Sequence, residues 1–288
     1  MATIKQLKAE IKSDCELSEL LNILKGIALA EFQRLQSIYQ KKKGHKAYAE
    51  SSQSFINLID TNKYRHALLN QETPSQKAIL LITSDEGFLG RLNREIIEAG
   101  LNILKDHDTL LIIGEKGVNL IKDMNRPHLH LSSLKGDIGF EQIEKFARFL
   151  IQKYKDNLWN GLTIVFPKFV SFGIYEIARE VVLPLEEYAK QFNLSRKTSK
   201  PLGEVIIESN LEEVLEYIAK SILMQKLFNI FWLSRLSEWS TQVSNLENGR
   251  QELNKITDKL RLKYIKQLHA LYDKSIREIY ASRRHLTQ

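Results

Sequence analysis

LEEVLEYIAKSILMQKLFNIFWLSRLSEWSTQVSNLENGRQELNKITDKLRLKYIKQLHALYDKSIREIYASRR, Leu211 to Arg284, contains no proline and a single glycine, Gly249. Apolar side chains return along it in steps of mostly three and four. They are Leu236, Trp239, Val243, Leu246, Leu253, Leu260, Tyr264, Leu268, Leu271 and Ile279, with Arg250 interrupting. That spacing is the seam of a coiled-coil helix. As one helix the stretch is about 110 Å long at 1.5 Å per residue. A compact globule of 288 residues has a radius of gyration near ~19 Å and a diameter of about 50 Å. The helix must therefore break or project, and a projecting helix in water needs a partner to cover its seam.

The partner is at the other end of the chain. Residues 1–60 hold no proline and place Leu17, Leu21, Leu24, Ala28, Leu35 and Ile38 at three- and four-residue steps, with Glu31 as the one intruder. All five prolines lie between Pro74 and Pro201, so both ends are free to be long helices. Between them, short β-rich runs (AILLIT, TLLIIG, LTIVF, GEVII) alternate with helical stretches such as EQIEKFARFLIQKY. Alternation of that kind marks strands joined by crossover helices. The expected fold is a long antiparallel coiled coil of N- and C-terminal helices (1–60 and 211–288) with a Rossmann-like α/β domain, 75–207, inserted between them.

Within that domain, ITSDEGFLGRLN, Ile82 to Asn93, joins a strand to a helix through two glycines. A phosphate-binding P-loop needs GxxxxGK[ST], and no glycine in this chain is followed by lysine; Gly87 and Gly90 make only GxxG, not the dinucleotide pattern. Ser84 and Asp85 therefore read as turn and capping residues, with the glycines permitting close packing, in preference to an anion site at a helix start. His128 and His130 in HLHL share one face of a strand without a third ligand nearby, so no metal is expected. KKKGHK, Lys41 to Lys46, reads as a solvated helix face before it reads as a lipid or phosphate site. Trp232, Trp239, Phe228 and Phe231 read as packing where the long helix meets the domain. No catalytic triad or Cys/His pair has local support, and no cofactor is expected.

Composition limits the class further. With 43% hydrophobic and 27% charged residues, the profile is that of a soluble globular protein. The apolar runs are too short to span a bilayer, and MATIKQLKAEIKSD lacks the core of a signal peptide. The lone Cys15 excludes a disulfide framework. The net charge of +7 favours acidic partners without pointing to nucleic acid, and ten Lys/Arg against four Asp/Glu lie between Arg250 and Gln288.

Taken in order, several segments resemble the gamma subunit of the rotary F-type ATP synthases. ITSDEGFLGRLN resembles that family's strand-turn element, with Ser84, Asp85, Gly87, Gly90 and Asn93 on its pattern; IIGEKGV, Ile112 to Val118, resembles its IGxKG element. Tyr48–Glu50 (YAE), KFVSFGIYEIAREVVLPL, the SEW at Ser237 and Glu278–Ile279 resemble four more of its landmarks, and KGIALAEF is similar to a divergent branch. The resemblance implies a non-catalytic central stalk in a complex that carries out ion transport and ATP synthesis. Its implied partners are the alpha and beta subunits of the catalytic hexamer, an epsilon-type subunit and the membrane c-ring, at the cytoplasmic side of a bacterial plasma membrane. It also implies shaft contacts with the hexamer at Leu20, Leu24, Leu260, Tyr264, Lys266, Leu268, His269 and Glu278. The sequence departs from the family at that grip: Leu20 to Leu24 replace Ile-Thr-Lys-Ala-Met, and Leu268–His269 and Tyr272–Asp273 stand where Arg-Gln and Ile-Thr are usual. Those changes leave a rival reading, a coiled-coil scaffold or adaptor derived from the same fold.

Overall fold

A computed structural model of the chain describes residues 3–42, 76–124, 126–132, 139–156, 158–185 and 211–285. The elements are α1 (Ile4–Lys42), β1 (Ala78–Ile82), α2 (Leu92–Leu101), β2 (Thr109–Ile113), α3 (Glu115–Lys122), β3 (Leu129–Leu131), α4 (Phe140–Lys155), β4 (Leu162–Ser171), β5 (Ile174–Leu183) and α5 (Leu211–His285). The 75 residues of α5 form one unbroken helix, about 112 Å along its axis. The expected GEVII strand, Tyr48–Glu50 and the KKKGHK run beyond Lys42 lie outside the described residues. By contact the chain divides into two units, residues 1–30 with 242–288, and residues 31–241.

The larger unit is built on a five-stranded sheet of order β3-β2-β1-β4-β5, parallel except for β5, which pairs antiparallel with β4. All five residues of β1 are buried, as in a central parallel strand covered on both faces. Its side chains alternate between two cores. Ala78, Leu80 and Ile82 pack with Ile143, Ala147 and Leu150 of α4, with Phe32 and Leu35 of α1, and with Leu223, Leu227 and Phe231 of α5. Ile79 and Leu81 pack on the opposite face with Leu92, Ile96 and Ile97 of α2 and Val118 and Ile121 of α3. Full burial of each leucine, isoleucine, valine or phenylalanine among them contributes about 1.5–3 kcal/mol.

The first half of β4 is the expected LTIVF strand, whereas the rest of the β4–β5 hairpin is treated in the sequence reading only as a family segment. β5, IYEIAREVVL, is the sheet edge and buries only its end, Val182 and Leu183. Gly173 turns the hairpin at φ 74°, and its N–H donates to the Ser240 hydroxyl of α5 at 3.0 Å. The aromatic cluster expected between long helix and domain is present. Trp232 is 1% exposed and stacks with Tyr39 of α1 at 6.3 Å, Phe228 lies 5.7 Å from it, and Phe231 meets Phe146 of α4 edge-on at 5.6 Å.

The smaller unit is an antiparallel helix pair. Ser18 donates to Asn254 at 2.9 Å, Lys25 to Glu247 at 2.9 Å, and Thr257 to Asp14 at 3.4 Å, so residue numbers fall along α5 as they rise along α1. On α5 the covered stripe is the expected one, running through Val243, Leu246, Leu253, Leu260, Tyr264 and Leu268, with Thr257 also on it. Leu271 and Ile279 are exposed. On α1 the stripe differs from the expected seam. Burial follows Ile4, Leu7, Ile11, Asp14, Ser18, Leu21, Lys25 and Ala28, a strict alternation of three and four, whereas Leu17 and Leu24 are exposed. Two heptad-spaced stripes lie side by side on this helix. The more polar one faces α5, because Asp14, Ser18 and Lys25 find hydrogen-bond partners there.

Candidate functional site

The turn after β1 organises the larger unit. Thr83 continues the strand, and its N–H and hydroxyl both donate to the Ile113 carbonyl, at 2.9 and 2.6 Å. The Ser84 N–H donates to the Asn93 side-chain carbonyl at 3.0 Å, and the Ser84 hydroxyl accepts from the Glu86 N–H at 3.0 Å, a serine turn held from α2. Asp85 Oδ1 accepts the Glu115 N–H at 2.8 Å, and the Ser84 carbonyl accepts the Lys116 N–H at 3.2 Å. Both donors belong to the first turn of α3, where N–H groups lack helical partners and the dipole favours an anion. The carboxylate at that helix start is thus the protein's own. Asp85 and Ser84 are the capping and turn residues expected, although the helix they cap lies thirty residues further on. Gly90 takes φ 57°, and exposed Phe88 takes φ 61°, a left-handed value uncommon for a bulky residue. Gly117 of α3 lies so close to Thr83 that a Cβ would collide with its hydroxyl and methyl. Two of the family-patterned segments, ITSDEGFLGRLN and IIGEKGV, are therefore locked into one another.

Beside this turn lies a charge that the sequence reading includes only as the middle residue of the SEW landmark, with no role of its own. Glu238 of α5 is 4% exposed, and Arg235 Nη1 donates to its Oε2 at 3.2 Å. Burial pushes its carboxyl up to about 7 against the opposing effects of Arg235 and a hydrogen bond from Ser84, and the nearby Asp85 charge adds to the rise. Besides that landmark, the sequence signal is a carboxylate set among Leu236, Trp239 and small hydroxyl residues, on a helix that buries most of its circumference here.

In the helix pair, polar groups occupy the seam. Glu247 accepts from Lys25 at 2.9 Å and from Arg250 at 3.0 Å, and these bonds with Gln251 hold its carboxyl down to about 2. Arg250, the interruption of the expected seam, folds back onto Glu247 within the half-buried stripe. The Arg261 guanidinium donates to Cys15 Sγ at 3.4 Å. Outside the seam, Leu20 is 57% exposed and Leu24 40%, accompanied by exposed Leu17, Ile23 and Ile27. On α5, Leu260, Tyr264 and Leu268 are half-buried, while Lys266, His269 and Glu278 are exposed. From Leu271 to Tyr280 every residue is exposed, including Leu271, Tyr272, Ile276, Ile279 and Tyr280. The shaft-contact residues inferred from the sequence thus fall into an outward set and a seam set. His128 Nδ1 donates to the Arg126 carbonyl at 2.9 Å, and among the described residues no third ligand-type side chain joins it and His130.

A two-helix antiparallel coil together with a doubly wound α/β domain made from one chain defines the central-stalk class of rotary ATPases. The family model described as ATP synthase matches residues 3–284, and the chain belongs to that family as a gamma chain. Its curated relatives include the ATP synthase gamma chains of Clostridium acetobutylicum, 24% identical over 95% of this chain and 94% of the relative, and of Brevibacillus brevis, 25% identical over 96% of each. Among solved structures, a chain of the Euglena gracilis mitochondrial ATP synthase OSCP/F1/c-ring assembly matches with a TM-score of 0.71. It is 14% identical, and the match covers 98% of this chain and 94% of that one. The rotor of the same enzyme matches with a TM-score of 0.66 at 15% identity, over 93% and 98%. The scaffold reading is not favoured by these relationships. No helix among the described residues is long and apolar enough to cross a membrane.

Proposed function

We propose that this gamma chain is the non-catalytic shaft of its ATP synthase. Nucleotide chemistry belongs to alpha and beta subunits, and the shaft's asymmetric face sets the state of each catalytic site in turn. Residues 1–60 and 211–288 act as the shaft, and the α/β domain (75–207) with the adjoining helix segments meets an epsilon-type subunit and the membrane c-ring. The complex lies peripherally, on the cytoplasmic side of a bacterial plasma membrane.

The observation that supports this most directly is the outward apolar surface of a helix pair whose own seam mixes apolar residues with polar pairs. Exposed Leu20, Leu24 and Ile23 do not hold the pair together, so their burial awaits a surrounding partner. An apolar, loosely specific face allows sliding past successive subunits. Lys255, Lys259, Arg261, Lys263 and Lys266 add attraction to acidic segments of about 1 kcal/mol per exposed pair, enough to bias a rotational position and too little to lock it. The test is reconstitution with a chain lacking Leu260 to Gln288. ATPase-driven rotation of the assembled complex is expected to lose torque and coupling; full torque and coupling would refute the gripping role of this segment.

A further inference from the structure

A cavity of about 20 Å³ lies where the turn after β1 meets α5, lined by Ile82, Thr83, Asp85, Ile113, Phe231, Ser234, Arg235 and Glu238. That volume holds one water. Ser234 is 1% exposed, and its Oγ has no hydrogen-bond partner among the described residues although it lines this space. A buried hydroxyl left unsatisfied forfeits the hydrogen bonds it made to water in the unfolded chain, so a polar cavity beside it is a place for an ordered water. We propose that the cavity holds a water shared by the Ser234 hydroxyl and the Glu238 carboxyl, and that this hydrated Glu238–Arg235 pair makes the seating of α5 against the Ser84–Asp85 turn dependent on a proton. The inference is independent of the shaft reading, since it concerns the larger unit alone.

The charged groups that face Glu238 are Arg235 on its own helix and Asp85 on the turn, with the Ser84 hydroxyl hydrogen-bonded to it. The ends of β1 and β2 bring Ile82, Thr83 and Ile113 to the cavity, none of which titrates. Ionised, Glu238 pairs with Arg235 but stands against Asp85 without full solvation. Protonated, it loses that repulsion and keeps a donor for the water. Asp85 at the same time caps α3, so the proton on Glu238 is felt by the turn that joins β1, α2 and α3.

The direction follows from linkage. The carboxyl holds its proton more tightly in the fold, where it titrates near about 7, than in the unfolded chain. Its contribution to stability is therefore complete below the ordinary carboxylate range and is lost as pH rises through neutrality. The experiment is urea unfolding of the full chain between about pH 5.5 and 8.5, comparing the native sequence with Glu238→Gln and Ser234→Ala. The native midpoint is expected to fall across this window, and Glu238→Gln to remove that fall. Ser234→Ala moves the transition to higher pH, because the charged carboxyl loses its hydrated donor. Parallel pH profiles for native chain and Glu238→Gln overturn the proton dependence, and an unmoved transition in Ser234→Ala overturns the shared water. Should Glu238→Gln not fold, the infrared band of a protonated carboxylic acid in the native chain decides. Its disappearance on raising the pH through neutrality supports the proposal, and its absence below neutral pH refutes it.

Discussion

The two units of this chain use their apolar residues in opposite ways. The larger unit places them inside, with β1 wholly buried between two cores and α5 surrounded from Ile222 to Leu236. In the helix pair of the smaller unit, Leu7, Ala28, Val243 and Leu246 are buried, whereas Leu17, Leu20, Ile23, Leu24 and Ile27 look outward and Asp14, Ser18, Lys25 and Glu247 hold the seam. One unit is organised for its own stability. The other leaves much of its apolar surface exposed, as the proposed shaft role requires.

The comparison can be broken most easily in the larger unit. Ile96→Ala empties a fully buried site on α2, and a loss of about 2–5 kcal/mol in urea unfolding is expected. A loss below about 1 kcal/mol would mean that the second core is not tightly packed. Asp85→Ala removes the cap of α3, with an expected cost of about 1 kcal/mol. Amide exchange at Glu115 and Lys116 should rise selectively; unchanged protection there would show that the cap is not what holds that helix start.

In the seam the effects are smaller. Glu247→Gln removes the acceptor shared by Lys25 and Arg250, and a change of about 0.2–1 kcal/mol is expected, diminishing with added salt. The Glu247 carboxyl is held down to about 2 by its cations. Its stabilisation is therefore present above the ordinary carboxylate range and fades as the pH falls through that range toward 2. An effect that grows with salt or vanishes above neutral pH would contradict the ion-pair account.

Much of this architecture is legible in the sequence, for physical reasons that differ by element. The absence of proline from Leu211 to Arg284 marks α5 almost to its final residue, and its seam from Val243 to Leu268 follows from apolar spacing alone. The α1 seam differs from the expected one because apolar spacing cannot tell a stripe that packs from a neighbouring stripe that stays exposed. Leu17 and Leu24 belong to the second, and polar Ser18 and Lys25 to the first. Strand β5 was missed because an edge strand buries little, and IYEIAREVVL carries charges on much of its length. The helix capped by Asp85 was not legible, since the partner lies thirty positions away and only the sheet brings them together. Glu238 was hidden for a similar reason: a carboxylate on a long helix reads as solvated until the helix is seen to be covered all round.

The central claim is that the outward apolar stripe of α1 serves coupling and not folding. Its most direct test is the Leu20→Glu/Leu24→Glu double variant, measured both as the free chain in urea and as ATP synthesis driven by an ion gradient after reconstitution with the other subunits in sealed vesicles. An unfolding midpoint within about 0.5 kcal/mol of the native chain, together with at least a tenfold fall in synthesis, is the result this account predicts. A destabilised free chain with undiminished synthesis by the assembled complex would contradict it.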